Sequence, residues 1–267
     1  MLASLEITGL RGFVSKQTLS FAQPNGIPGS GLTIILGANN AGKSTAIEAL
    51  RAVAQQQGPS FTQGRRNQAA GDQVIIRVVD PFGNATVLKS VRPGSSETEY
   101  IKEHDGVDLR KLLVLPARRV FSPYFGRSTT TRDDYMANIG FPAIRSNTMD
   151  QFTLRLFAIE GNRTQFDALL KRIVNPVPDW SIDQMDNGQY FLKVRKGNAT
   201  HSSEGLGEGL VSLLYIIDAL HDSKDGDAIA VDEPELSLHP ALQRKLADLL
   251  VEYSATRQII VSTHSPY

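Results

Sequence analysis

The sequence predicts an α/β fold: a mixed, largely parallel sheet core flanked by helices, with an antiparallel β lobe and a helical lobe. Three observations predict it. An apolar β-branched run, Leu32-Thr33-Ile34-Ile35-Leu36, leads into the glycine-bounded segment Gly37-Ala38-Asn39-Asn40-Ala41-Gly42-Lys43-Ser44-Thr45, and the helix-prone run Ala46–Val53 leads out of it. Two further apolar runs, Asp227–Val231 and Gln258–Val261, end in polar residues, as strands buried on both faces of a parallel sheet do. Residues 73–103 break instead into short strands separated by turn sequences, the pattern of an antiparallel lobe.

The composition leaves room for that architecture. The chain has 267 residues, 41% hydrophobic and 21% charged, enough for one large domain. Its 28 basic and 28 acidic residues cancel, which excludes a global basic field and leaves only local patches for an anionic polymer. The absence of cysteine excludes disulfides and thiolate metal sites. Residues 1–6 lack the basic and apolar regions of a signal peptide. The longest apolar stretch, Leu210–Leu220, is too short to span a bilayer and carries Asp218. The expectation is a cytoplasmic protein without a membrane partner.

In chain order, Ser4–Phe21 reads as two strands, Gln23–Gly31 as a loop, and Leu32–Val53 as the strand, loop and helix above. Val74–Val79, Asn84–Val91 and Glu99–Lys102 read as strands of the antiparallel lobe. Asp80-Pro81-Phe82-Gly83 between them fits a hairpin turn better than the D-x-x-G of a GTPase, since no N-K-x-D follows. Leu112–Leu115 is a buried strand stopped by Pro116, and Arg118-Arg119 follows. Phe121–Thr148 reads as irregular. Phe152–Val174 has helical spacing, and Asn175-Pro176-Val177-Pro178 ends it. Trp180–Asp183 and Tyr190–Val194 flank Asp186-Asn187-Gly188, a hairpin signal.

The segment 37–45 matches the phosphate-loop pattern G-x-x-x-x-G-K-[ST] in its required strand-loop-helix setting. Gly37 and Gly42 allow the backbone to turn and to approach phosphate oxygens, and the amides from Asn39 and Asn40 through Thr45 can form an anion nest at the helix start. Lys43 is a mobile point charge for the β- and γ-phosphates, and the Ser44 hydroxyl is a candidate Mg²⁺ ligand. Asp232, ending its strand, is the second candidate metal ligand, and Glu233 is placed to orient and deprotonate a water. An acidic helix start is the alternative for this pair, and the phosphate loop outweighs it. His264 ends the strand from Gln258 on the same predicted sheet edge, where it can meet the γ-phosphate or the water. His201-Ser202-Ser203-Glu204-Gly205-Leu206-Gly207-Glu208-Gly209, before an apolar helix, reads as a second anion nest.

This set resembles an ABC-type ATPase in the branch of RecF, SMC-like and OLD (overcoming lysogenisation defect) proteins. Asp232-Glu233-Pro234-Glu235-Leu236-Ser237-Leu238-His239-Pro240 is similar to the OLD-like acidic motif with its trailing Leu-His-Pro. Ser262-Thr263-His264-Ser265-Pro266 resembles the switch-histidine segment, Leu5-x-Ile7-x-Gly9-Leu10-Arg11-Gly12-Phe13 the first strand, and Leu115-Pro116-Ala117-Arg118-Arg119 a recurring strand-Pro-Arg element.

The resemblance implies a P-loop NTPase fold of ABC type, ATP and Mg²⁺ as cofactors, and ATP hydrolysis. It also implies a homodimer or higher homo-oligomer in which Ser203, Gly205 and Gly207 of one copy close on the ATP held by another. Gln57, Gln63 and the region of Arg118 are candidates for the glutamine loop. His239, where transporter ATPases carry Asp, argues against the transporter branch. The expected organisation is one ATPase domain over 1–267: a β lobe with the phosphate loop (1–117), a helical and irregular insertion with a hairpin (118–200), and the signature, acidic motif and histidine (201–267). The implied work is anti-phage defence or DNA repair, through DNA or a partner effector or nuclease; a nucleotide-gated scaffold with little turnover is the alternative. Arg65-Arg66, Arg118-Arg119, Arg127 and Arg132 are the candidate DNA contacts, and Arg118-Arg119 can equally serve the nucleotide or the dimer interface. No nuclease site is expected in these residues, and the stop at Tyr267 raises the expectation of a fragment or of a separate effector.

Overall fold

The computed structural model describes the chain apart from residues 39, 56–60, 62–63, 72, 120–123, 141–151, 162 and 266–267. Asn39, Gln57, Gln63, Pro266 and much of 121–148 therefore lie outside the described residues.

Four parallel strands make the core sheet, in the order β3 (Leu32–Leu36), β13 (Gln258–Thr263), β12 (Ala228–Asp232), β7 (Leu112–Leu115). Successive side chains of a strand point to opposite faces, so each strand serves two cores. Leu113, Leu115, Ile229, Val231, Ile259 and Val261 join one hydrophobic cluster. Leu112, Val114, Ala228, Ala230 and Ile260 join the other. Double-sided burial is why these strands read as unbroken apolar runs.

The second cluster is closed by α1 (Lys43–Ala54) and an antiparallel sheet. That sheet runs β2 (Gln17–Ser20), β1 (Ser4–Thr8), β4 (Ile75–Val79), β5 (Ala85–Ser90), β6 (Thr98–Glu103). α1 lies between the two sheets and touches strands of both. The Tyr100 hydroxyl of β6 donates to the Ala52 carbonyl on α1, and burial pushes its phenol pKa up. Asp80 makes the β4–β5 turn: its Oδ1 accepts from the amides of Phe82 (2.8 Å) and Asn84 (2.9 Å).

The other face carries the helices. α5 (Glu208–Asp222) and α6 (Pro240–Tyr253) contribute to the first cluster, with α3 (Phe152–Glu160), α4 (Thr164–Ile173) and a small sheet behind them. In that sheet β10 (Tyr190–Lys196) pairs antiparallel with β9 (Asp179–Gln184), β11 (Ala199–Ser202) and β8 (Tyr124–Phe125). Arg155 on α3 reaches Asp218 on α5 at 2.8 and 3.0 Å, a largely buried pair that ties the helical lobe to the core.

Two readings are corrected. Phe152–Val174 is not one helix: α3 and α4 are separated at Gly161, where the apolar spacing continues through a helix break. The segment read as irregular holds α2 (Arg132–Ala137), started by Thr131, whose hydroxyl accepts from the Asp134 amide at 3.2 Å while Asp133 and Asp134 favour the positive helix end.

Gln258, fully buried at the start of β13, pins the antiparallel sheet to the core. Its Oε1 accepts from the Leu2 amide, and its Nε2 donates to the carbonyls of Leu2 (2.7 Å) and Ala22 (2.9 Å). Gln258→Leu fills similar space and leaves these backbone groups without their partner. It is expected to cost about 2–4 kcal/mol, read as a lower urea midpoint at unchanged slope.

Candidate active site

Parallel pairing brings four strand ends to one edge of the core sheet. Val231 lies opposite Leu115, Asp232 opposite Ser262, and Thr263 opposite Leu36. The segments that leave these strands meet there: the loop from Gly37, the turn Pro116–Arg119, the acid pair Asp232-Glu233, and His264. Open α/β sheets bind ligands at this edge.

The loop is shaped by backbone sterics. Asn40 (φ 64°) and Gly42 (φ 92°) are left-handed. A Cβ on Gly42 would come within 3.1 Å of the Phe13 ring, so both angle and space call for glycine. Lys43 Nζ donates to the carbonyls of Gly37 (2.8 Å) and Ala38 (3.0 Å), holding a cation over the loop. No side chain caps the N-terminus of α1, which leaves its first amides, at the positive end of the dipole, to a ligand. A cleft of about 670 Å³ lies alongside, lined by Arg11, Gly12, Phe13, residues 40–45 (Asn40, Ala41, Gly42, Lys43, Ser44, Thr45) and Glu233.

Across the cleft the acid pair divides its surroundings. Asp232 is 6% exposed, and its Oδ1 accepts from Ser44 Oγ at 3.2 Å and from Ser262 Oγ. A carboxylate beside a hydroxyl is the oxygen donor set that suits Mg²⁺, which keeps waters and phosphate oxygens for its other positions. Glu233 is more open, and its Oε1 stands 3.4 Å from His264 Nδ1. A carboxylate touching an imidazole can hold and pass a proton at these two atoms. Glu235, two residues on, accepts from Thr263 Oγ1 and from the His264 amide at 3.2 Å, which fixes the histidine segment to the acidic motif.

Arg119 lies beneath the pair, 6% exposed. Its guanidinium donates to the carbonyls of Pro116 (2.7 Å), Asp232 (2.8 Å) and Glu233 (2.8 Å), and to Ser212 Oγ (2.8 Å). Burial pushes its pKa down to about 10, opposed by the carboxylates of Asp232, Glu235 and Glu233, so it stays charged at neutral pH. A side chain this enclosed does not face DNA. Arg132 is exposed but pairs with Glu160 and stacks over Phe157 at 4.4 Å, and Arg118 is exposed as well.

The glycine-rich segment stands apart from the cleft. Ser203–Gly205 forms a 3₁₀ turn after β11, and Gly207 precedes α5, whose N-terminus also lacks a side-chain cap. Gly205 packs on the His201 ring, where a Cβ would come within 2.7 Å of Nδ1. Gly207 has open space around it. Glu208 accepts from Ser237 Oγ at 3.1 Å, so the start of α5 rests on the loop that follows the acid pair.

Sequence reasoning thus pointed to Gly37, Asn40, Gly42, Lys43, Ser44, Thr45, Asp232, Glu233 and His264, which the fold brings to one edge. It missed Arg11 and Phe13 as cleft residues, the buried function of Arg119, and Glu235. Gly9-Leu10-Arg11-Gly12-Phe13, a bulky pair among glycines after a strand, was the available signal for the first two.

Known proteins agree with this geometry. Residues 97–267 match the model of an AAA domain described as a putative AbiEii toxin of a Type IV TA system, and residues 4–172 match a second AAA-domain model. The Septu protein PtuA of Bacillus thuringiensis is 22% identical over 302 aligned positions, which cover 100% of this chain and 72% of that protein. Among solved structures, an SMC head bound to the C-winged helix domain of ScpA superposes with a TM-score of 0.61 at 13% identity, covering 99% of this chain and 90% of that one. An SMC head with an extended coiled coil, bound to the C-terminal domain of ScpA derived from Pyrococcus furiosus, gives 0.56 at 11% identity, covering 99% and 89%. The two solved structures speak to the fold alone, and each family model spans more than half of the chain. The chain therefore belongs to the AAA-domain ATPases, with the phosphate-loop fold of ABC-type and SMC heads.

Proposed function

We propose that this chain binds ATP with Mg²⁺ and hydrolyses it, and that two copies pack head to tail with the nucleotides shared between them. The observation that carries the reading is the meeting of Ser44 with Asp232, and of Glu233 with His264, at the lip of one cleft. In this reading Lys43 and the α1 amides hold the phosphates. Ser44 and Asp232 hold the Mg²⁺, which when bound supplies positive charge to the phosphate oxygens. Glu233 orients a water and accepts its proton, and His264, at hydrogen-bonding range, steadies that carboxylate and reaches toward the γ-phosphate. Arg11 and Phe13 offer a cation and a ring face to the rest of the nucleotide.

Gly205 and Gly207 are not among the described residues that line the cleft of their own copy, and no side-chain cap is described at the start of α5. Both features support their use on the nucleotide of a second copy. No helix among the described residues is long and apolar enough to cross a membrane. The output of the cycle is control of a partner effector in anti-phage defence. The likeness to a Septu protein and to a family described as a putative toxin supports defence over repair.

Two substitutions test the site. Glu233→Gln retains ATP binding, lowers turnover about 10²–10⁴-fold and accumulates an ATP-bound dimer, seen by steady-state hydrolysis and light scattering. Hydrolysis at the wild-type rate removes Glu233 from its role. Lys43→Ala weakens ATP binding at least about tenfold in titration calorimetry, and an unchanged affinity contradicts the loop's part in the site.

A further inference from the structure

We propose that Arg119 is a positioning residue for hydrolysis: it holds the backbone of Glu233 in place and ties that placement to α5 through Ser212. The inference rests on the reading of Glu233 as the residue that activates water.

Glu233 has φ 47°, a left-handed backbone that a residue with a side chain adopts only at a cost. Such a conformation persists only where its surroundings over-determine it. Here the Glu233 amide donates to the Ser262 carbonyl at 2.8 Å, and its carbonyl accepts from the Leu236 amide at 3.1 Å and from Arg119 at 2.8 Å. Arg119 also grips the preceding carbonyl, that of Asp232, at 2.8 Å. One planar guanidinium thus reads two consecutive peptide groups across the turn that aims the Glu233 side chain. Lysine, whose three donors sit on one nitrogen, cannot reproduce a planar fork that reaches Ser212 from Nε, Pro116 and Asp232 from Nη1 and Glu233 from Nη2.

The same guanidinium reaches α5. Its Nε donates to Ser212 Oγ at 2.8 Å, and Ser212 is buried in the helix that begins just after Gly207. Its fourth grip, on the Pro116 carbonyl at 2.7 Å, anchors it to the end of β7. None of these hydrogen-bond acceptors is a carboxylate, so the nearby acids act on its charge without a direct hydrogen bond to it. Its hydrogen bonds are spent on backbone shape and on a link between the α5 start and Glu233. A shift of α5 against the sheet has to pull on the residue that orients Glu233.

Arg119→Lys and Ser212→Ala test this, each measured for ATP affinity by calorimetry, for single-turnover hydrolysis at saturating ATP, and for thermal unfolding. Arg119→Lys is expected to bind ATP within about threefold of wild type and to hydrolyse about 100-fold more slowly. Ser212→Ala keeps the three carbonyl grips and is expected to lose about five- to tenfold in single-turnover rate at unchanged affinity. A residue that serves stability alone would lower the melting temperature while leaving the rate per folded molecule unchanged, and that result overturns the proposal. So does a loss of affinity as large as the loss of rate. If Arg119→Lys does not fold, Ser212→Ala decides, and a wild-type rate there overturns the link. Glu233→Gln run alongside separates the two readings. If it is inactive while Arg119→Lys turns over normally, the positioning inference alone fails; if it is active, the reading of Glu233 fails first.

Discussion

In a parallel sheet every strand ends on the same edge, and this constraint organises the protein. β3, β13, β12 and β7 each finish where the next segment has chemistry to do, and the one-residue stagger of their pairs places Leu36, Thr263, Asp232 and Leu115 in a row. Parallel strands need crossovers, and the crossovers supply the rest of the fold. The passage from β3 to β7 carries α1 and the antiparallel strands β4–β6; the passage from β7 to β12 carries the helical lobe and α5; α6 bridges β12 to β13. Both faces of the sheet are thereby covered, and the edge is left for a ligand.

Charge at that edge is arranged in layers. Lys43 and the unclaimed amides of α1 present positive potential above the sheet. Asp232 is nearly buried and held by two hydroxyls, whereas Glu233 is more open and meets His264. Arg119 lies underneath, charged and enclosed, and its burial is tolerable because four acceptors receive its protons. The acid pair therefore lies near two cations, Arg119 held at its own backbone carbonyls and Lys43 held at the carbonyls of the loop. Substituting a neutral group for Arg119 takes this donor from the carbonyls of Pro116, Asp232 and Glu233 and from Ser212.

What the sequence made legible follows from the range of the interactions involved. The strand-loop-helix at 32–53 and the strands at 228 and 258 are local patterns, and they fold as read. The β4–β5 turn at Asp80 is also local, its side chain capping its own turn. The break at Gly161 was masked because apolar spacing in Phe152–Ile173 keeps the same face through both helices. α2 was missed because Thr131-Arg132-Asp133-Asp134 reads as a polar loop unless its cap is recognised. α6 was not read from the sequence; Pro240 at its start and His239, whose ring accepts from the Ala241 amide at 3.3 Å, mark its beginning. Arg119 was marked as part of the element after β7, but its contacts were not legible. Its partners lie at Ser212, Asp232 and Glu233, far along the chain, and only the β7–β12 register brings them to it.

The phosphate loop emerges as half of a site. In the proposed reading its own chain supplies the acid pair and the histidine, and the start of α5 serves the nucleotide of a second copy. Gly207 permits a direct test, because a side chain there meets open space and Asp is a good residue for the start of a helix, so Gly207→Asp folds while placing a negative charge where a phosphate would come. The decisive measurement is the ATPase rate of Lys43→Ala and Gly207→Asp, each alone and mixed in equal amounts. Shared sites predict two inactive proteins whose mixture recovers about a quarter of the wild-type rate, since half of the random dimers regain one intact site. A mixture no more active than its separate components contradicts the account.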